Sequence, residues 1–448
     1  MATTNKEIFG TEPLSKLLKA QSIPASIGIL VMSVYGIVDT IFVGRWVGAY
    51  GIGAITVVMP ITFLISSIGM AIGVGGASII SRAFGEKNDQ KAFKVFGNQM
   101  MLTLSLALLF VLFGFLYQDE FLNAFGGKGE ILQPARDYFG ITLIGVPFLA
   151  WAMMSNNVIR AEGYPKIAML TLLIPALTNI VLDPIFIIGF DMGIKGAAWA
   201  TSISYMASAL FTLWFFIKGD SQIKINLKCI HPSSSIIKEI GAIGSVTLAR
   251  QGAVSLLSVV LNNSLFAYGG EMSLSAYGIA SRMLMFANFP VLGITQGTVP
   301  ILGYNYGAKL YRRVKELVTL SMKAATVIAL IIFTIIMSLT EYIVQAFTSE
   351  PLLIEQTIPA LRLIFLATPL ISVNMIGSAY FQSIGKATPA LLLSLSKQGF
   401  FLIPLILILP NFFVIYGAWY AFPIADVGAA LVTYYFLQKE TKKIKNQS

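Results

Sequence analysis

The sequence predicts an all-α integral membrane protein with twelve transmembrane helices arranged in two pseudo-symmetric six-helix lobes. Three observations lead to this prediction: the composition, the spacing of apolar runs and an internal repeat. Of the 448 residues, 56% are hydrophobic and only 12% are charged, with a mean hydropathy of +0.78. Soluble domains are about one-quarter charged. The composition therefore indicates a chain that lies mostly in a lipid bilayer.

Twelve apolar runs are long enough to cross a bilayer, which needs about 20 residues of helix. The first run is predicted to be a retained helix, because it lacks a small-residue cleavage site. The predicted spans are 23–44, 52–80, 95–117, 136–158, 167–190, 195–217, 241–268, 274–302, 317–339, 357–382, 389–411 and 417–437.

The basic residues give the orientation of these spans. If the amino terminus is cytoplasmic, the inner segments carry 23 of the 31 Lys and Arg residues and the outer segments carry five. Basic loops stay on the cytoplasmic side. We therefore predict a multi-pass protein of the plasma membrane, with both termini in the cytoplasm. In a cell with two membranes this is the inner membrane. The net charge of +10 follows from this topology and gives no support to a nucleic-acid partner.

The two halves of the chain resemble each other at a nearly constant offset of 222 residues, which matches Gly75 with Gly297. "GGASIISRAFGEK" at 75–87 matches "GTVPILGYNYGAK" at 297–309, Gly163 matches Gly385, and "GAAWA" at 196–200 matches "GAWYA" at 417–421. The predicted domains are an amino-terminal lobe (1–217), a cytoplasmic linker (218–240) and a carboxy-terminal lobe with a cytoplasmic tail (241–448). An even number of spans per repeat gives parallel repeats, and a substrate cavity between them is expected.

Several kinds of site are excluded by residue counts. The chain has one cysteine, Cys229, and one histidine, His231, so it cannot hold a disulfide framework, a histidine-based metal cluster or a Ser-His-Asp arrangement. We predict His231 in a solvated loop. The chain is therefore not expected to be an enzyme or to bind a cofactor.

Three acidic residues lie well inside predicted spans, away from the span ends: Asp39, Asp183 and Asp426. A carboxylate at the bilayer centre costs about 2.5 to 3.5 kcal/mol on insertion scales, so such residues are candidates for function. Asp39 lies about 8 Å below the outer end of span one and Asp183 about 10 Å below that of span five. The two acids can therefore meet in one layer. Asp426 is the weakest candidate, because no polar residue one turn away supports it.

Polar neighbours accompany the first two acids. Tyr35 precedes Asp39 by one helical turn, Asn179 precedes Asp183 by one turn, and Thr201 lies at a similar depth in span six. Two neighbouring buried carboxyl groups titrate as a unit and can carry protons. The oxygens of Asp39, Asn179, Asp183 and Thr201 also suit Na⁺. The predicted ion-coupling site therefore leaves H⁺ and Na⁺ open, and no other metal is expected.

Two prolines are predicted to bend helices near this site. Pro184 leaves the carbonyl of Ile180 without its helical partner, and Pro24 has the same effect nearer the cytoplasmic side. In the repeat, Asn179 and Asp183 fall on Phe401 and Leu405. Ion coupling is therefore predicted for the amino-terminal lobe alone.

The carboxy-terminal lobe carries three cations in or near its spans. We expect Arg282 to be structural. Arg250 and Lys397 have three open interpretations: they pair with carbonyls, bind an anionic group of a substrate, or extend to an interface.

Longer motifs resemble those of the multidrug and toxic compound extrusion (MATE) family over nearly the whole chain. "VDTIFVGRWVGAYGIGA" at 38–54 is similar to the family's first-helix signature, and "NIVLDPIFIIGFDMGIKGAAWAT" at 179–201 is similar to its signature for helices five and six. "RAEGYPK" at 160–166 also fits. The resemblance implies a two-lobe antiporter that exports organic compounds by alternating access in exchange for H⁺ or Na⁺.

The resemblance also implies roles for single residues. Asp39 and Asp183 match the acids of the proton-linked, DNA-damage-inducible branch, and Pro24 matches the proline at which the first helix bends. Spans seven and ten lack the acids of the sodium-linked branch. Further matches are Tyr35, Tyr138, Asn179 and Thr201 in the polar network and Asn156 lower in the amino-lobe cavity. The predicted substrate-cavity residues are Tyr138, Asn156 and Arg250.

The implied partners are amphiphilic small molecules and the lipid bilayer, and a monomer is expected. The alternative is a lipid-linked saccharide flippase of the same superfamily, in which Arg250 and Lys397 would hold a pyrophosphate. That function needs a cluster of several inward-facing cations in the central cavity, and the sequence offers too few.

Overall fold

The computed structural model describes residues 7–225 and 231–445, without the side chains of residues 49, 441 and 443–445. The described chain is helical almost throughout, and no strand occurs in these two ranges. Helices are required here because the bilayer offers no hydrogen-bond partners, so the backbone must satisfy its own N–H and C=O groups. Cys229 lies outside the described residues. "Inner" and "outer" below refer to the predicted orientation.

The first repeat contains six long helices and two short ones. The π-helical turn Pro184–Gly189 extends α7 to the outer end of span five. The helices are α1 (Ile8–Thr11), α2 (Leu14–Trp46), α3 (Ala49–Gly85), α4 (Asp89–Leu116), α5 (Gln118–Ala124), α6 (Leu132–Ala161), α7 (Pro165–Asp183) and α8 (Gly193–Ile217).

The second repeat is more interrupted. A 3-10 turn, Thr368–Leu370, separates α11 from α12, and a π-helical segment, Ser396–Leu402, separates α13 from α14. The helices are α9 (Ser234–Gly307), α10 (Tyr311–Phe347), α11 (Pro351–Phe365), α12 (Ile371–Ser383), α13 (Ala387–Leu395), α14 (Ile403–Ile408), α15 (Pro410–Phe413) and α16 (Ile415–Lys445).

The prediction of twelve spans is confirmed. Among the described residues, eleven helical stretches are long and apolar enough to cross a membrane, and α9 counts as one of them. Gly270 breaks α9 with φ 65° and ψ −165°, so α9 supplies spans seven and eight. Helix α2 begins at Leu14, before the predicted start at residue 23. Helix α9 begins at Ser234, inside the segment 218–240 that was predicted as a linker, because polar residues flanking an apolar run can continue its helix.

The internal repeat is present in the backbone. Gly163 and its repeat partner Gly385 both take a left-handed φ, of 89° and 81°. Lys87 and Lys309, which are related by the same offset, both have φ 57°. A side chain makes such a conformation uncommon, so its recurrence at equivalent positions indicates that both halves fold the same turns.

The same repeat appears in helix packing. A Cβ on Gly75 would lie 2.4 Å from the carbonyl oxygen of Ile240, and a Cβ on Gly297 would lie 2.5 Å from Oγ of Ser22. Each glycine therefore permits a neighbouring helix to approach closely, as small residues do in membrane proteins.

Contacts divide the chain into two compact units. One unit contains Ile27–Gly244, and the other contains Phe9–Ser26 with the chain from Ser245 onward. Each unit has an apolar core among the outer parts of its helices: the first includes Val58, Phe139 and Leu143, and the second Phe365 and Trp419.

His231 lies before α9 in non-helical chain and is exposed, in agreement with the predicted solvated loop. Its carbonyl oxygen accepts a hydrogen bond from Nδ2 of Asn98 at 3.1 Å.

Candidate functional site

Helices α2 and α7 bring the two predicted acids together. Asp39 lies in the outer part of α2 and is 7% exposed, and Asp183 is the last residue of α7 and is fully buried. Their carboxyl groups lie within hydrogen-bonding range of each other. The two acids, which the sequence predicted at similar depths in the membrane, therefore lie close together in the structure.

Asn179 joins this pair to α8. Its Nδ2 donates to Oδ1 of Asp183 at 3.3 Å and to Oγ1 of Thr201 at 3.4 Å. Asn179 and Thr201 are both buried. The spacing of one helical turn between Asn179 and Asp183 places both side chains on one face of α7, and Thr201 faces them from α8.

Three tyrosines complete the cluster. The hydroxyl of Tyr138, on α6, lies close to that of Thr201, and the hydroxyl of Tyr35 lies close to that of Tyr205. Tyr138 was predicted both as a member of the polar network and as a substrate-cavity residue, and it lies in the acid network; its role in a cavity stays a prediction. Tyr205 was not predicted, although it follows Thr201 by one turn of α8, which puts both on one face.

The cluster contains more hydrogen-bond acceptors than donors. Oδ1 of Asp39, Oδ2 of Asp183 and Oδ1 of Asn179 are buried, and no donor from the described residues reaches them. Buried polar atoms normally have partners. A proton, a cation or a water molecule can partner these acceptors. No group of three or more His, Cys, Asp or Glu side chains that could hold a metal ion occurs in the described ranges.

Pro184 changes the helix directly after Asp183. The regular α7 ends at Asp183, and the π-helical turn Pro184–Gly189 continues the span. A proline has no N–H to bond the carbonyl four residues earlier, and π turns occur frequently at functional sites. Pro24 lies within α2, which continues as a helix on both sides of it.

Two predicted residues lie apart from the acid network. Asn156, on α6, donates through Nδ2 to the carbonyl oxygen of Ala168 at 2.6 Å and to Oγ1 of Thr171 at 2.7 Å. These bonds connect α6 with α7. Arg250, on α9, is half-buried and forms no hydrogen bond or ion pair with the described part of the chain. Their proposed roles in a substrate cavity stay predictions.

Lys397 and Asp426 require a correction of the sequence interpretation. Nζ of Lys397 lies 2.5 Å from Oδ1 of Asp426, so the acid that was considered unsupported has a partner on another helix. A search one turn along the same helix could not find this partner. The sequence did contain one signal for this pair: Lys397 in span eleven and Asp426 in span twelve lie at similar distances from the inner ends of their spans. The pair also removes Lys397 from the cations that a pyrophosphate-binding flippase would need.

Glu162 is a buried carboxyl group that the sequence interpretation did not single out. It follows α6 at the inner end, outside the span, and is fully buried. The hydroxyl oxygen of Ser221 lies 2.9 Å from both carboxyl oxygens, and the backbone N of Gln222 donates to Oε2 at 2.9 Å. Burial nevertheless raises the pKa of Glu162 to about 7. The only signal in the sequence was its position within "RAEGYPK".

Comparison with known proteins gives consistent results over the whole chain. The MatE family model matches residues 24–185 and 248–408, one segment in each repeat. The chain is 27% identical over 423 residues to the multidrug export protein MepA of Staphylococcus aureus strain NCTC 8325, covering 94% of this chain and 93% of MepA. It is 26% identical over 429 residues to MepA of Staphylococcus haemolyticus, covering 96% and 94%.

Solved structures have the same fold. A crystal structure of a MATE protein in the bent conformation superimposes with a TM-score of 0.94 at 26% identity, covering 100% of this chain and 99% of that one. An outward-facing MATE multidrug resistance transporter of the MOP superfamily gives 0.93 at 27% identity, with 100% of both chains covered. The two matched segments, the twelve spans and the repeated turns together show that this chain belongs to the MATE family of membrane transporters and is not an enzyme.

Proposed function

We propose that this MATE protein exports organic compounds in exchange for protons, and that the Asp39–Asp183 pair carries the proton. The names of the relatives support the first part, since MepA is a multidrug export protein and is similar to this chain over 94% of its length. The paired carboxyl groups support the second part. The proposal places the protein in the plasma membrane, with both termini in the cytoplasm, as the basic inner loops predict.

The contact between the two carboxyl groups carries this proposal. Two ionised carboxylates about 4 Å apart repel each other by about 4 kcal/mol at an effective dielectric constant of 20. They can also form no hydrogen bond with each other, because both are acceptors only. One proton removes the repulsion and supplies the missing donor. The acceptor-rich cluster around Asp39 and Asp183 therefore favours a bound proton.

The neighbouring residues set the orientation of the pair. Asn179 donates its amide hydrogens to Asp183 and Thr201 and so fixes one carboxyl group between α7 and α8. Asp39, on α2, has no such donor. Its contact with Asp183 is what connects α2 to α7 at this depth. A change in protonation therefore acts mainly on the connection of α2 to the other two helices.

This connection gives a route from proton binding to export. In the proposed cycle, a proton from outside binds the pair, α2 shifts relative to α7 and α8, and the affinity for the organic compound falls. Pro24 and the π turn after Pro184 supply places where the helices can bend. Because linkage is reciprocal, the bound compound must also lower the proton affinity of the pair.

The test is transport by the purified protein in proteoliposomes, with ethidium as the probe and either a proton or a sodium gradient imposed. We expect the proton gradient alone to drive ethidium exchange. Asp39→Asn and Asp183→Asn should each abolish gradient-driven transport, while the variants still purify as folded protein. Asp191→Asn is the matched control, because Asp191 is exposed just beyond the same π turn.

Two results would contradict the proposal. Unchanged gradient-driven transport in both Asp39→Asn and Asp183→Asn would remove the pair from coupling. Ethidium exchange driven by sodium and insensitive to the proton gradient would show that the cluster holds Na⁺ instead.

A further inference from the structure

We propose that Lys397 and Asp426 form a second proton-exchange site, in the carboxy-terminal unit, that polar side chains connect to the inner end of the helices. The proposal goes beyond coupling through Asp39 and Asp183, because it concerns a different pair on different helices. It rests on the buried pair, on the polar contacts on its inner side and on the apolar core on its outer side.

The pair lies deep within its helices. The side chain of Asp426 is 2% exposed and that of Lys397 is 16% exposed. Glu440, near the inner end of α16, is about 21 Å further along the helix than Asp426. Charged groups at such depth are costly and commonly mark ion pathways. Lys397 also lies in the π-helical segment Ser396–Leu402, a geometry found frequently at functional sites.

Further polar contacts lie between the pair and the inner end of the helices. Asn374 donates through Nδ2 to Oγ of Ser396 at 2.9 Å and to Oγ1 of Thr433 at 3.1 Å. One turn further in, the hydroxyl oxygens of Ser378 and Ser394 are 2.5 Å apart. At the inner end, Lys386 forms an ion pair with Glu440. We call these seven residues the polar ladder: Asn374, Ser378, Lys386, Ser394, Ser396, Thr433 and Glu440.

Helical spacing aligns the ladder with the pair. Asp426, Thr433 and Glu440 follow one another at seven-residue intervals, which places them on one face of α16. Asn374 and Ser378 are one turn apart on α12. The residues on the outer side of Asp426 are different in character, since Ala425, Phe422 and Trp419 belong to the apolar core. The pair therefore has polar groups on its inner side and an apolar core on its outer side.

The two repeats share a scaffold contact near this site, but the Lys397–Asp426 pair occurs only in the second repeat. Ser378 donates to the carbonyl oxygen of Ala390 at 3.2 Å, and at the equivalent positions of the first repeat Asn156 donates to that of Ala168. Both halves therefore hold these two helices together with the same bond. Lys397 corresponds at this offset to Pro175, and Asp426 corresponds to Tyr205 in the register that matches 417–421 with 196–200, so the scaffold does not need the charges.

The proposed step is reversible protonation of Asp426. A proton from the inner aqueous phase forms an O–H bond on the carboxylate, and Lys397 keeps its own protons and loses its ionic partner. Release of the proton restores the ion pair. Among the described residues, Lys397 alone forms an ion pair with Asp426. The helices that pack against this part of α16 carry the ionisable side chains of Tyr277, Glu355, Arg362 and Tyr380. Besides Asp426, the ionisable residues of α16 itself are Tyr416, Tyr420, Tyr434, Tyr435, Lys439, Glu440, Lys442, Lys443 and Lys445.

Infrared difference spectroscopy between mildly acidic and mildly alkaline buffer tests the protonation step. The full-length Asp39→Asn/Asp183→Asn variant serves as background, because it lacks the two paired carboxyl groups of the amino-terminal acid network. We expect a C=O band of a protonated carboxyl group at acidic pH that Asp426→Asn removes and that Lys397→Arg shifts. Identical spectra for the background protein and a folded Asp426→Asn variant of it would overturn the proposal, as would a band unaffected by Lys397→Arg.

Cysteine labelling tests the connection to the inner side. In a Cys229→Ser background, Ser394→Cys places a thiol on the ladder, and Leu392→Cys places one on the lipid-exposed side of the same helix. A membrane-impermeant maleimide added to inside-out vesicles should label the first several times faster than the second. Equal rates, or labelling of Ser394→Cys only from the outer side, would overturn the inner connection.

Discussion

Glu162 offers a test of the structure through the pH dependence of stability. The perturbation is Glu162→Gln, which keeps an oxygen that can accept hydrogen bonds from Ser221 and Gln222 and removes the ionisable group. Burial raises the pKa of Glu162 from its ordinary value of 4.5 to about 7 in the folded protein. The fold therefore prefers the protonated form.

The sign and size of the effect follow from linkage. Because the folded state binds the proton more tightly than the unfolded state, the contribution of Glu162 to stability is fully present below pH 4.5. It is lost as the pH rises from 4.5 through about 7. The difference between these two pKa values corresponds to about 3 kcal/mol. Glu162→Gln should escape this loss, because its amide does not ionise.

The assay is thermal unfolding of the detergent-purified protein, followed by intrinsic fluorescence, at a series of pH values from mildly acidic to mildly alkaline. We expect the variant and the wild type to unfold at similar temperatures at acidic pH. The variant should become progressively more stable than the wild type as the pH rises. Glu316→Gln is the control, because Glu316 is exposed and its removal should leave the pH dependence unchanged.

Parallel pH profiles for the wild type and Glu162→Gln would refute the reasoning. They would mean that Glu162 ionises as easily in the fold as in water, and that Ser221 and Gln222 fully compensate for its burial. A variant that is less stable at every pH would equally contradict the expected direction.

Two further predictions concern the helix contacts. Gly417→Ala should lower stability by about 1 to 3 kcal/mol, because a Cβ there would lie 2.4 Å from the backbone of Leu409; Gly278→Ala, with open space around it, should cost nothing in the same thermal unfolding assay. Asn156→Leu should cost about 1 to 3 kcal/mol by removing the buried hydrogen bonds that Nδ2 donates to the carbonyl oxygen of Ala168 and to Oγ1 of Thr171. Ethidium transport per folded molecule should then change little, and a selective loss of transport at unchanged stability would instead support a role in the cavity.

The spans and the repeat could be read from the sequence because they depend on local properties. Hydropathy over about 20 residues decides whether a segment can cross a bilayer. The matches of Gly75 with Gly297 and Gly163 with Gly385 lie at one offset. In the structure the first two glycines each permit a close helix approach, and the other two share a left-handed backbone turn. The helix ends were predicted less well, as the early starts of α2 and α9 show.

The acid network could be predicted in part for a similar reason. The depth of Asp39 and Asp183 follows from their distances to the span ends, and a spacing of one turn places Asn179 beside Asp183. Tyr205 follows from the same spacing on α8 but was missed. The role of the network in coupling stays a prediction.

The sequence by itself determined that this chain crosses the membrane twelve times in two related halves, because apolar length and periodicity act within each helix. Only the tertiary structure decided which helices lie side by side. The helix arrangement brings Asp426 next to Lys397 and Glu162 next to Ser221. It also places Asn156 where its amide hydrogen-bonds between α6 and α7. These contacts join residues far apart in the chain, and no local pattern specifies which distant helix a polar side chain will face.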